Sequence, residues 1–146
     1  EADHETLLEF VDEIGFDALG VFEYSKEPGT RAGRMEDDPD LAVPAETKSR
    51  RKREIMELQQ SIAFEQAGFL ASHHHPDNPG EGLLFDVLID KPTNTPGLFA
   101  GRAYFQAPEI DSVTYVRSDA PLDPGALVRC EVVASDGYDL IATPVR

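Results

Sequence analysis

Three groups of side chains in this 146-residue chain could do chemistry at close spacing. His73, His74 and His75 stand together in SHHHPDNPGEG. Imidazole nitrogens bind transition metals, but the ligands of a formed site sit at spacings that let them converge. Three consecutive histidines in a Pro/Gly-rich run lack that spacing, so the segment is read as a flexible linker and no metal site is assigned. Cys130 lies in the Val-rich pattern LVRCEVV and is the only cysteine. A lone cysteine can neither close an internal disulfide nor supply the several thiolates of an iron–sulfur cluster, so it reads as a small buried hydrophobe. Its isolation fits a cytoplasmic setting. Lys48, Arg50, Arg51, Lys52 and Arg53 are a basic run. They could meet phosphates or form a solvated helix face. With the acids Glu36 to Asp40 nearby, the second reading is preferred.

The elements that must position these groups fall into two halves. Asp3 to Ile14 carries Leu7, Leu8, Phe10, Val11 and Ile14 at helical spacing, with Asp3 or His4 as its start and Gly15 as its C-cap. Ala18 to Tyr24 (ALGVFEY) reads as a short apolar strand. A helix followed by such a strand is the unit of a parallel α/β fold, and its partner strands are expected upstream of Glu1. The absence of an initial methionine also suggests a segment cut from something longer. Ser25 to Pro44 has no periodicity and reads as a long loop at the C-terminal end of that strand, where α/β barrels build active sites. Pro44 opens a helix at its first position, running from Ala45 to about Ala71.

From Leu83 the pattern is all β. Strands are expected at 84–90, 98–105, 113–117, 127–134 and 138–145, a set that suggests an OB-like barrel. Gly101 inside the second marks a bulge or a close backbone approach, and Ala107-Pro108 ends its pairing. The chain carries a net charge of −15. That balance disfavours bulk nucleic-acid binding and suits a basic partner. No apolar run reaches the length of a membrane span and no signal peptide is visible.

The letters say more than the pattern. GRAYFQAPEIDSVTYV at 101–116 resembles GRSYxDAPEIDGxVYV, from the TRAM domain of the RimO-type methylthiotransferases. Gln106 stands where that family usually has Asp, and Ser112 where it usually has Gly, which asks a non-glycine residue to make the turn. LGVFEYSKEPGT resembles the family's last barrel strand LGVFxYSxEEGT, with Pro28 replacing Glu. IMELQQSI resembles LMELQQEIS, and SDGYDLIATPV resembles the TRAM ending YDLxG, with Ala142 for Gly.

The resemblance implies an α+β segment. Residues 1–43 would end a radical-SAM α/β barrel, 44–72 would be a connecting helix, 73–82 a linker, and 83–146 a five-stranded OB-like antiparallel TRAM barrel. It implies that the parent enzyme methylthiolates the β-carbon of an aspartate in the small-subunit ribosomal protein numbered twelve. It further implies two 4Fe-4S clusters and S-adenosylmethionine in the parent, with none bound by this segment, which should be inactive alone. Tyr24, Ser25, Glu27 and Thr30 would lie at the barrel mouth as cofactor-binding candidates. Arg102, Glu109 and Asp111 are the substrate-binding candidates, Asp139 is read as holding a turn, and Tyr104 and Tyr115 as core or rim aromatics. The implied partner is a basic ribosomal protein, with little free nucleic-acid binding and no membrane. The competing readings are a tRNA methylthiotransferase segment and a stand-alone TRAM or OB-fold RNA-binding module.

Overall fold

The computed structural model describes residues 1–145. They divide into two compact units, Glu1–Ile62 and the residues from Ala63 onward.

The first unit holds α1 (Ala2–Ile14), α2 (Arg31–Glu36) and the first part of α3 (Ala45–Ser72). α1 starts at Ala2 with Glu1 as its N-cap residue, two or three residues ahead of the expected Asp3 or His4. Asp3 and Glu5 then fall in the first turn, where carboxylates meet the positive end of the helix dipole. Gly15 ends α1 in the left-handed conformation (φ 61°), which glycine adopts without steric cost. Val11, Ile55 and Ile62 form the core of this unit, with Leu8, Phe16, Leu19, Val21 and Leu58 packed on it. The expected strand at 18–24 is not a ladder here. No strand lies beside it among the described residues, and a lone segment has nowhere to pair its backbone N–H and C=O groups. Leu19 and Val21 pack inward instead, while Phe22 stays 92% exposed.

The expected loop 25–44 contains a short helix, α2. The Thr30 hydroxyl accepts a hydrogen bond from the Gly33 N–H at 2.9 Å, which caps it. Pro44 sits just outside α3 rather than at its first position, and its carbonyl accepts from Lys48 N–H at 3.0 Å. The basic run is mostly spent on carboxylates: Lys48 on Glu36, Arg50 on Glu1 and Glu54, Arg51 on Glu1, and Arg53 near Glu57. The run thus forms an ion-paired helix face.

The second unit holds the rest of α3 and five strands: β1 (Leu84–Pro92), β2 (Leu98–Arg102), β3 (Thr114–Arg117), β4 (Leu127–Asp136) and β5 (Asp139–Pro144). They close into a barrel in the order β1-β2-β3-β5-β4. The barrel is antiparallel at every junction except β3–β5, which is parallel. Parity requires this, because strand direction cannot alternate all the way round a closed ring with an odd number of strands. Val87, Ile89, Val116, Cys130 and Ala142 fill the barrel, and Ala67, Val132 and Leu140 form a second cluster against Leu70, Ala71 and Phe85. Gly101 is a close backbone approach: a Cβ there would lie 2.6 Å from the Leu88 carbonyl oxygen. The register shift is in the facing strand, between Ile89 and Lys91.

Candidate functional site

β2 stops at Arg102, three residues sooner than the alternation predicts, and residues 103–113 leave the sheet before β3. One buried side chain organises this loop. The Gln106 carboxamide oxygen accepts from Ala103 N–H (2.8 Å) and from the Thr114 hydroxyl (2.6 Å), and its NH2 donates to Ser112 Oγ (2.9 Å). A carboxamide carries acceptor and donor on one plane, so a single residue ties both ends of the loop together. Gln106 and Ser112, two of the departures from the family pattern, are bonded to each other.

Asp111 closes the inner turn, its carboxylate accepting from Ala107 N–H at 2.7 Å. Between them Glu109 takes φ 63°, the only left-handed non-glycine residue described. The strained position is thus Glu109 and not Ser112. Asp139 Oδ1 accepts from Val113 N–H at 2.8 Å, holding the exit of the loop as expected. Of the substrate-binding candidates, Arg102 is engaged by Asp90 (2.7 Å) and Asp111 by the turn, which leaves Glu109 exposed at the tip. Tyr104 is not a core residue: it is 87% exposed, because the chain has already left the barrel wall.

In the first unit, Tyr24, Ser25, Glu27 and Thr30 are all exposed. Lys48 Nζ lies 5.3 Å from the Tyr24 ring centroid, a cation–π contact, beside a cleft of about 280 Å³ that Met35, Leu41, Val43 and Arg51 help to line. Thr30 is engaged in capping, accepting from Gly33 N–H and donating to the Glu27 carbonyl (2.9 Å). The cofactor-binding candidates and the substrate-binding candidates thus fall in different units.

The segment at 73–82 is fastened to the barrel rather than free. Glu131, 1% exposed on β4, accepts from Gly80 N–H (2.7 Å), Gly82 N–H (2.9 Å) and His74 Nδ1 (3.2 Å). Burial pushes this carboxyl upward, but the hydrogen bonds from Gly80, His74 and Gly82 outweigh it and leave the carboxyl below the usual range. His73 stacks edge-on with Phe69. No cluster of three or more metal-ligating side chains occurs among the described residues.

The fold and loop define a class first. Residues 82–145 match the model of the TRAM domain family. Along nearly its whole length the chain is also similar to proteins named ribosomal protein uS12 methylthiotransferase RimO. The Lachnoclostridium phytofermentans protein is 38% identical over 143 residues, covering 98% of this chain and 29% of that protein. The Nitratidesulfovibrio vulgaris protein is 42% identical over 137 residues, covering 93% and 28%. One from Anaeromyxobacter strain K is 40% identical over 148 residues, covering 99% and 28%. The chain belongs to the RimO-type methylthiotransferase family, as a segment that includes the TRAM domain. It spans under a third of the length of these relatives.

Proposed function

We propose that this chain is the substrate-recognition and barrel-closing part of a cytoplasmic radical-SAM enzyme that methylthiolates the β-carbon of an aspartate in ribosomal protein uS12. The observation that carries the reading is the 38–42% identity to proteins of that name over 93–98% of the chain. The charge of −15 supports a basic partner, and on the barrel Arg102 and Arg129 are already ion-paired with Asp90 and Asp86.

The residues present do not fit iron–sulfur clusters. Cys130 is the only cysteine and is buried in the barrel; burial and, secondarily, Asp86 push its thiol up to about 11, away from the thiolate a cluster binds. Clusters would therefore depend on other parts of the parent protein, and no chemical step is routed through this chain. Its share is position. Tyr24, Ser25 and Glu27 are assigned to the mouth of the parent's α/β barrel, with Thr30 shaping their loop. Glu109 is assigned to substrate contact, with Asp111 holding the turn that carries it and Arg102 paired with Asp90 at the end of β2.

The test is a binding titration of the chain against uS12 and against tRNA at rising salt. The expected result is weak uS12 binding that fades as the screening length falls below about 10 Å, with hardly any tRNA binding. Tight tRNA binding with no measurable uS12 binding would overturn the reading in favour of an RNA-directed protein.

A further inference from the structure

The β2–β3 loop exposes apolar side chains that the barrel could have used inside. Tyr104 is 87% exposed, Ile110 84% and Phe105 43%. Single exposed apolar residues are ordinary, but these rings touch. Tyr104 and Phe105 meet edge-on with centroids 5.1 Å apart, and the half-buried Phe85 of β1 stands 5.4 Å from Phe105 and 6.2 Å from Tyr104. Phe85 also packs against the buried Ala67, Val132 and Leu140, so the exposed rings are rooted in the core of this unit.

Beneath them Gln106 ties Ala103, Ser112 and Thr114 together, Asp111 locks the inner turn, and Glu109 is held at φ 63°. A loop fixed in this way has already met its ordering cost before a partner arrives.

We infer that the loop 103–113 is a preformed docking element for a cationic peptide segment, with Tyr104, Phe105 and Ile110 as its apolar anchors. The inference rests on the reading of a basic protein substrate and names where that substrate is held. Residues 103–116 contain Glu109 and Asp111 but no Lys or Arg, and the neighbouring Arg102 is neutralised by Asp90. A nucleic-acid strand would find rings there but no cations for its phosphates. A second copy of this chain would bring another −15 of like charge. A Lys- or Arg-bearing segment finds ring faces for its cations, carboxylates for its charge and apolar tips for its aliphatic stems.

The experiment measures uS12 binding by the whole 146-residue chain and by Tyr104→Ala, Ile110→Ala and Tyr104→Phe. Tyr104→Ala and Ile110→Ala should each raise Kd roughly tenfold, as loss of an interface anchor does, while Tyr104→Phe stays near wild type. Because both side chains are exposed, denaturation midpoints should not move. If the wild type binds uS12 and both alanine variants bind it equally well, the loop assignment falls while the proposed function stands. If the wild type binds no uS12, both fall. If Tyr104→Ala instead abolishes binding to a single-stranded RNA oligonucleotide and leaves uS12 binding intact, the loop is a base-stacking platform and the inference is overturned.

Discussion

Gln106 is the side chain whose loss should be felt furthest from its own position. Truncation to Ala strands Ala103 N–H and the hydroxyls of Ser112 and Thr114, at a cost of about 2–3 kcal/mol. Chemical denaturation of Gln106→Ala, Ser112→Gly and the double variant would measure the pair. A coupling of about 1 kcal/mol is expected, and strict additivity would mean the two residues are independent. Glu131 gives the pH-dependent counterpart. Its carboxyl is depressed in the folded state, so its contribution is complete above the ordinary carboxylate value of about 4.3 and is lost as pH falls through the lower, folded value. Glu131→Ala should cost about 3 kcal/mol at neutral pH and shrink the loss of stability on acidification. A parallel pH profile for the variant would refute the role. Neither residue was legible as a keystone. Gln106 showed in the sequence only as a departure from a pattern. Glu131 sits at an outward position of an alternating strand, and nothing local reveals that residues 73–82 cover it.

Elements were easier to read where a local rule fixes them and harder where a neighbour decides. The Gly15 cap, the long helix from Ala45 and all five strands followed from periodicity and punctuation. The early end of β2 did not, because Tyr104 continues the alternation while the chain turns off the barrel. α2 was hidden in a stretch without apolar spacing and is set by its cap. Thr30→Ala should cost about 1 kcal/mol locally, seen as faster amide exchange across 31–36 with the barrel unaffected. Gly101→Ala should destabilise the barrel by about 1–3 kcal/mol, because the new Cβ meets the backbone oxygen of Leu88 and not a movable side chain. A melting temperature equal to that of wild type would show that β2 can shift without penalty.

At the scale of the molecule the two units should differ in protection. The second closes every strand against a neighbour on each side. The first leaves Leu7, Phe10, Ile14 and Phe22 exposed, and its 18–24 segment has no ladder. Native-state hydrogen exchange should show the slowest amides in β1, β4 and β5 and the fastest regular structure in α1. Uniformly slow exchange would contradict this.

The closed ring also limits how any partner can attach. Each of the five strands already has a neighbour on both sides, the odd junction being the parallel β3–β5 pair. An incoming peptide therefore has no free strand along which to extend the sheet, the route by which many domains capture extended segments through main-chain hydrogen bonds alone. Such main-chain capture reads sequence poorly, since every residue offers the same amide. With that route shut, recognition by this barrel must pass through side chains and loop tips, where sequence is read.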